Sequence, residues 1–129
     1  MKRINRIVAQ FLLAAMLMPG LCFSAEPETN VITHIVIAWL KPEFRTEEYL
    51  KKLFEANERL RDIPQVQSIR IGNPIQSDRD RVDDSFDLGN AITFKSVQDM
   101  NEYLVHPIHE KFISEFIAGK TAKVVAYDF

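Results

Sequence analysis

The sequence predicts one α+β domain in which two helices cover a single face of an antiparallel sheet. Four β-type segments and two segments with helical spacing follow one another in the order β-α-β-β-α-β, which is the ferredoxin-like arrangement. The first and last β-type segments are apolar on both faces, although the two helices can cover only one. A chain of 129 residues holds one such domain, and we place it at residues 31–129.

The first strand and the first helix have clear signals. Residues 31–40 (VITHIVIAWL) are β-branched or apolar almost throughout, as in a strand that is covered on both faces. Thr46 then provides a helix cap, and the two acidic residues after it favour a helix start. The helix ends before Pro64. Its apolar residues recur at helical spacing and are Tyr49, Leu50, Leu53, Phe54 and Leu60.

A hairpin with a long charged tip follows the first helix. Residues 65–73 are predicted as the second strand, which weakens towards a turn at Gly72. Residues 76–85 (QSDRDRVDDS) form a charged connector, and residues 86–95 (FDLGNAITFK) alternate as the third strand. The alternation points one set of side chains towards the same face, namely Phe86, Leu88, Asn90, Ile92 and Phe94.

The second helical region and the last strand complete the domain. Ser96 resembles a helix cap, and Pro107 predicts a break or a new helix start because proline is unfavourable inside a helix. Gly119 ends the helical region, and residues 121–129 (TAKVVAYDF) form the last strand. The apolar residues at helical spacing are Val97, Met100, Tyr103 and Leu104, and then Ile108, Phe112, Phe116 and Ile117.

The sheet face that the helices leave bare predicts a homodimer. In the first strand, Ile35, Ile37 and Trp39 alternate with an equally apolar set on the opposite face. A large exposed apolar face marks a surface that binds a partner. A second copy can cover it sheet to sheet about a two-fold axis. We therefore expect a two-fold homodimer in which the two sheets face each other.

The N-terminal segment predicts an exported protein. Three positive charges in the first six residues precede an apolar run over residues 7–18, a Pro-Gly break and small residues before Ala25. This order is typical of a secretory signal peptide, which we place at residues 1–24. The apolar run is too short to favour a membrane span. We expect the mature protein to be periplasmic or secreted.

Removal of this leader changes the charge and the cysteine content. The remaining chain has 13 Lys and Arg against 18 Asp and Glu, a net charge of −5. A nucleic-acid partner is therefore not expected, because it would require a basic surface. Cys22 is the only cysteine and leaves with the leader, so disulfides do not stabilise the predicted domain.

Three histidines lie in apolar surroundings and are the candidate chemical groups. His34 lies in the first strand, and His106 and His109 lie three residues apart in the second helical region, where Tyr103 precedes them by one turn. One interpretation is that they are packed and hydrogen-bonded within the core. A second is acid–base catalysis by Tyr103 and His109, because histidine titrates near neutrality. A third is metal binding.

The sequence gives no sign of a metal or a cofactor. The HEXXH pattern and a nearby third ligand are missing, so we predict no metal site. Neither a GXSXG elbow nor a GXGXXG loop is present, and we predict no cofactor. The acidic connector lacks the glycine and the late glutamate of a calcium loop and is interpreted as a solvated loop.

Two segments carry a resemblance to a known family. Residues 32–36 (ITHIV) and residues 103–112 (YLVHPIHEKF), which contain an HPXH motif, resemble the stress-responsive α/β-barrel family called Dabb. Residues 63–66 (IPQV) and residues 124–129 (VVAYDF) also fit, so the resemblance covers the whole domain at residues 31–129. The chain looks like an exported bacterial member.

The resemblance has implications for structure and chemistry. It implies a homodimer whose two sheets form a barrel, with a cavity between sheet and helices. A plant member of the family closes a linear polyketide by aldol condensation without a cofactor, and its tyrosine and second motif histidine correspond to Tyr103 and His109. Its strand histidine corresponds to His34. The histidine removes a proton next to a carbonyl, and the tyrosine stabilises the oxyanion.

Three hypotheses about function follow. The first is an exported dimeric barrel that binds a small, largely apolar molecule in a pocket lined by His34, Tyr103, His106 and His109. Tyr103 and His109 would then be catalytic in cofactor-independent, cyclase- or lyase-like chemistry, and His34 and His106 would bind substrate. The second is a non-enzymatic stress-response or envelope protein. The third is a haem or metal binder that uses His109 or His34 as a ligand.

Overall fold

The predicted order of elements is confirmed. The computed structural model describes residues 31–129, and the predicted signal peptide at residues 1–24, with Cys22, lies outside the described residues. The strands are β1 (Ile32–Leu40), β2 (Ser68–Gly72), β3 (Leu88–Phe94) and β4 (Thr121–Asp128), and the helices are α1 (Glu47–Glu58), α2 (Val97–Leu104) and α3 (Pro107–Phe112). Short 3-10 turns lie at Pro42–Phe44 and Arg59–Asp62, and a π turn lies at Ile113–Ile117.

The four strands form one antiparallel sheet in the order β2-β3-β1-β4. The register places His34 opposite Ile92 of β3 and opposite Asp128 of β4. Ile35 lies opposite Tyr127 in the same way, on the other face of the sheet. The domain is therefore an α+β protomer of the ferredoxin-like type, as the sequence predicts.

The core lies between the sheet and the helices. Every second residue of β1 and β3 points into it, and α1 contributes Leu53. None of the helices in residues 31–129 has the length and apolarity that a membrane crossing requires. The fully buried apolar side chains with the lowest exposure are Ala38, Leu40, Leu53, Leu60, Ile92 and Phe94.

The predicted helix boundaries are confirmed by their caps. The Thr46 hydroxyl accepts a hydrogen bond from the Tyr49 N–H at the start of α1, and the Ser96 hydroxyl accepts one from the Asp99 N–H at the start of α2. Pro107 occupies the first turn of α3, where a missing N–H costs nothing. These caps fix where each helix starts above the sheet.

The second face of the sheet is bare in the protomer. Ile35, Ile37 and Trp39 of β1 lie on it beside Tyr127, whose side chain is 58% exposed. Lys123 lies over the Trp39 ring at 4.5 Å from its centroid, which places both side chains on this same face. An apolar face of this kind is the one that the sequence predicts a second copy to cover.

The predicted orientation of Phe86 is wrong, because its side chain lies on the opposite face of the sheet. The prediction placed Phe86 on the same face as Leu88, but its ring packs against Trp39 and against the backbone of Gly89 on the bare face. The cause is that β3 begins only at Leu88, so the pleat does not extend back to Phe86. Asp87, just before the strand, instead accepts a hydrogen bond from the Leu40 N–H.

Candidate functional site

A small cavity lies between the helix-facing side of the sheet and the α2–α3 region. Its volume is about 50 Å³, which is room for about four water molecules. Most of its wall is apolar, and the polar side chains in the wall come from five different parts of the fold. The lining residues are His34, Val36, Ala38, Asn57, Leu88, Asn90, Tyr103, His109, Phe112, Ile113, Ile117 and Val124.

Tyr103 is the most buried of the predicted catalytic residues. It lies on α2 and is 2% exposed, with its ring packed against Phe94 at 5.0 Å between centroids. Its ring is also 6.2 Å from that of His34 and 4.5 Å from that of His109. Burial raises the pKa of the Tyr103 phenol above its ordinary value of 10.0. The side chain is therefore a neutral hydrogen-bond donor at neutral pH.

One ring nitrogen of His109 forms a hydrogen bond within the protein, and the other is available for proton transfer. Its Nδ1 donates a hydrogen bond to the Leu104 carbonyl oxygen over 2.9 Å, because a carbonyl can only accept. The neutral ring then has its lone pair on Nε2. Burial lowers the pKa of His109 below its ordinary value of 6.5, and the Leu104 hydrogen bond opposes this only in part. His109 is thus a neutral base at pH 7.

His34 forms a dyad with Asp128, across the β1–β4 pair. Its Nδ1 lies 2.5 Å from Oδ1 of that carboxylate, and the two residues are directly opposite each other in the ladder. A carboxylate accepts only, so Nδ1 of His34 donates this hydrogen bond, and Nε2 is the ring nitrogen that Asp128 leaves unused. A carboxylate that orients a histidine is a recurrent arrangement in proton-transfer sites. No role for Asp128 is predicted from the sequence alone.

The structure does not bring His106 to the cavity. Its Nδ1 accepts a hydrogen bond from the Ile108 N–H over 3.2 Å, so the side chain caps the N-terminus of α3. This contact fixes the start of the helix that carries His109. Of the four predicted pocket residues, three line the cavity, namely His34, Tyr103 and His109. His106 instead caps α3, the helix that carries His109.

A π turn closes one side of the cavity. Ile113–Ile117 forms this turn directly after α3, and both terminal isoleucines line the cavity. Tyr49 of α1 donates a hydrogen bond from its hydroxyl to the Phe116 carbonyl over 2.7 Å, which ties the turn to the first helix. Single π turns within helices occur frequently at functional sites.

Two asparagines in the wall were also missed by the sequence reasoning. Asn57 of α1 is fully buried and Asn90 of β3 is 6% exposed, and the Asn90 amide nitrogen donates to the Asn57 oxygen over 3.0 Å. The spacing of both residues in the sequence indicates that they lie on buried faces. Asn57 follows Leu53 by four residues on the buried face of a helix, and Asn90 alternates with Leu88 and Ile92 in a buried strand.

The arrangement suits proton transfer more than metal or haem binding. It combines two imidazoles and a neutral phenol at one cavity, which are groups that move and donate protons. Within residues 31–129, no group of three or more His, Cys, Asp or Glu side chains is placed to hold a metal ion. A haem needs a cavity of several hundred cubic ångströms, whereas this one measures about 50 Å³.

A family model matches almost the whole described part of the chain. The model described as Stress responsive A/B Barrel Domain, or Dabb, matches residues 32–129. The match includes every residue that lines the cavity. No curated protein matches the sequence.

Three solved structures share the fold. A hydroxynitrile lyase from Passiflora edulis is 20% identical, with a TM-score of 0.69 over 78% of this chain and 93% of that chain. An Arabidopsis thaliana protein is 22% identical, with a TM-score of 0.66 over 76% and 92%. A dimeric ferredoxin-like protein of unknown function from Thermobifida fusca is 20% identical, with a TM-score of 0.64 over 77% and 89%. Likeness at these identities extends to the fold and not to the reaction.

Proposed function

Because the chain belongs to the Dabb family of stress-responsive A/B barrel domains, we propose that it is a homodimer that binds a small, largely apolar molecule in each protomer's cavity. In this proposal the cavity also performs cofactor-independent acid–base chemistry of the cyclase or lyase type. The observation that carries it is the convergence of His34, Tyr103 and His109 on one largely apolar cavity. These side chains come from β1, α2 and α3 respectively.

The proposed reaction begins with proton removal next to a carbonyl. Nε2 of His109 takes the proton, and the electron pair of the broken C–H bond moves to the carbonyl oxygen to give an enolate. Tyr103 donates a hydrogen bond to that oxygen, which a protonated phenol in a largely apolar cavity can do strongly. The enolate carbon then attacks a second carbonyl, whose oxygen receives the electron pair and takes the proton back from His109, or the enolate carbon itself takes that proton back.

The Asp128–His34 dyad provides a second basic site on the opposite wall. It can hold a polar group of the ligand or accept a proton during the second half of the reaction. Tyr103 lies against both imidazoles, so the three groups can pass one proton between the ligand and solvent. A hydroxynitrile lyase from Passiflora edulis shares this fold, so the fold is compatible with a lyase.

The volume of the cavity limits the ligand. About 50 Å³ is well below the roughly 300 Å³ of an ordinary ligand pocket. The enclosed part therefore accepts a head group of a few heavy atoms, and the rest of a larger molecule must extend past Val124, which is 43% exposed at the edge strand. A small carbonyl compound meets this limit.

The dimer in this proposal forms through the bare sheet face. That face presents Ile35, Ile37 and Trp39, which are partly exposed in one protomer, and Tyr127, which is exposed. A structural neighbour from Thermobifida fusca is itself dimeric. Pairing of two sheets would leave the cavities on the outer, helical sides of the barrel, one in each protomer.

Export is the second part of the proposal. Residues 1–24 carry the positive start, apolar run and small-residue end of a signal peptide. A periplasmic or secreted protein does not meet the thioester-bound polyketides of the cytoplasm. Its ligand is therefore a free small molecule of the envelope or the surroundings, in keeping with a stress-response role.

Deuterium exchange tests the chemistry directly. Small ketones such as butan-2-one are incubated in D₂O with the mature protein, and loss of the C–H signals next to the carbonyl is followed by proton NMR. We expect His109→Gln to lower the protein-catalysed rate by about 10² to 10⁴-fold, since it removes the base. His106→Asn is the matched control, because asparagine retains the helix cap and the position lies outside the cavity wall.

The result also separates catalysis from a non-enzymatic role. Equal exchange rates with wild type, His109→Gln and no protein would contradict the proposed chemistry. A purely structural role for the histidine predicts that His109→Gln changes only the melting temperature. Loss of ligand binding without loss of stability would instead place the residue in a functional cavity.

A further inference from the structure

Asn57 and Asn90 form a polar part of the cavity wall that the proposed reaction does not use. Asn57 of α1 and Asn90 of β3 meet there in a buried contact, with the Asn90 amide nitrogen 3.0 Å from the Asn57 oxygen. Asn57 is fully buried and Asn90 is 6% exposed. Both side chains line the cavity beside Tyr103 and His109.

This single contact leaves two buried polar atoms without a partner. The Nδ2 of Asn57 has no acceptor and the Oδ1 of Asn90 has no donor among the described residues. Rotating both amides by half a turn only exchanges the roles of the two residues. In either orientation, the pair offers one unused N–H and one unused carbonyl oxygen.

The strands beside Asn90 offer its side chain no polar partner. Asn90 lies opposite Val36 on β1 and opposite Ile71 on β2, and both of these neighbours are apolar. Its neighbours on the same face of β3 are Leu88 and Ile92. Buried polar groups in folded proteins nearly always find a partner. The cavity is the space from which that partner can come.

We propose that Asn57 and Asn90 bind a hydroxyl group of the ligand and thereby determine its chemical class. A hydroxyl has one hydrogen to donate to the free amide oxygen and lone pairs to accept from the free N–H, so one group satisfies both atoms. A bare carbonyl satisfies only the N–H, and a methyl group satisfies neither. Together with the carbonyl that faces Tyr103 and His109, this makes the ligand a small hydroxyketone or hydroxyaldehyde.

This inference rests on the proposed function, because it specifies the ligand of the same cavity. It also gives a reason for two amides in a largely apolar cavity wall. Replacing both members of a hydrogen-bonded buried pair by apolar groups of similar shape is often neutral or stabilising. A pair that is retained for binding therefore predicts that the double variant Asn57→Leu/Asn90→Leu is at least as stable as wild type but defective in recognition.

Binding of two shape-matched probes tests the inference. Hydroxyacetone and butan-2-one differ only in a hydroxyl against a methyl group, and ligand-observed NMR titration measures the Kd of each for the mature protein. We expect wild type to bind hydroxyacetone at least tenfold more tightly than butan-2-one. We expect the double leucine variant to lose this preference and to bind butan-2-one as well as wild type does. A site built around a hydroxyl rejects the analogue that lacks it strongly.

The possible results distinguish this inference from the proposed function. Equal binding of both probes by wild type would overturn the hydroxyl site, as would a preference that the double variant retains. Exchange catalysis sensitive to His109→Gln would meanwhile leave the proposed function standing. Binding of neither probe, with no exchange dependent on His109, would overturn both. The wild-type comparison decides the hydroxyl site even if the double variant does not fold.

Discussion

Substitution of Tyr127 by glutamate is expected to split the proposed dimer. Tyr127 lies on β4 opposite Ile35 and is an exposed aromatic residue of the bare sheet face, with 58% of its surface exposed. A second copy would bury this ring, and two such rings would be covered in each dimer by symmetry. A carboxylate at the same place would lose the apolar contact and would have to be desolvated.

The magnitude follows from the exposed area. A tyrosine side chain presents roughly 200 Å², so 58% exposure leaves about 115 Å² for the partner to cover. At about 25 cal/mol/Å² this area is worth about 3 kcal/mol per protomer and about 6 kcal/mol per dimer as an upper limit. If the partner covers half of the area, the dimer loses about 3 kcal/mol and its Kd rises about 100-fold.

Sedimentation equilibrium over a range of protein concentrations measures this Kd. The matched control is Val97→Glu at the start of α2, because Val97 is 54% exposed on the helical side of the protomer. The control should leave the dimer Kd unchanged, and circular dichroism should show both variants folded. Equal effects of the two substitutions, or a wild-type protein that is monomeric at tens of micromolar, would refute the sheet-to-sheet dimer.

Three further predictions concern stability and export. Burial lowers the pKa of His109 in the folded state, so the unfolded chain binds its proton first as the pH falls below 6.5, and the free energy of unfolding of wild type decreases there. Chemical denaturation at several pH values should show a smaller decrease for His109→Gln. An equal dependence of the free energy of unfolding on pH in both proteins would contradict the pKa shift. Gly119 has a φ of +74°, and a Cβ atom there would meet no other atom, so Gly119→Ala tests the backbone conformation alone. The substitution should lower the free energy of unfolding by about 1 kcal/mol in thermal melting. An unchanged melting temperature would contradict this reasoning. Cell fractionation and N-terminal sequencing should recover a protein that begins near residue 25, and an intact N-terminus in the cytoplasm would contradict export.

The local signals in the sequence predicted most of the fold. Helix caps at Thr46 and Ser96, the proline start at Pro107 and the end at Gly119 all depend on residues within a few positions of one another, and all are confirmed. Strand ends were less certain because they depend on tertiary pairing. The face predicted for Phe86 is wrong because the pairing of β3 with β1 stops at Leu88, so the alternation does not continue to Phe86.

The sequence predicted three of the cavity residues, namely His34, Tyr103 and His109, but not the partners that the tertiary fold supplies. Tyr103 and His109 are six residues apart, and their rings meet across the break that Pro107 makes between α2 and α3. The Asp128–His34 pair joins residues 94 positions apart, and the contact of Asn57 with Asn90 joins residues 33 apart. Periodicity gives the face on which such residues lie but not the register that brings them together. The capping role of His106 was missed because HPXH spacing alone suits a pocket as well as a helix start.

Native mass spectrometry tests the central claim most directly, namely that the cavity of a dimeric barrel holds a small molecule. The mature protein would be purified under mild conditions from the cells that naturally make it, together with His109→Ala purified in the same way. The account predicts a dimer of wild type with one or two added small-molecule masses and a dimer of the variant that lacks them. A monomer, or the same added mass on both proteins, would contradict it.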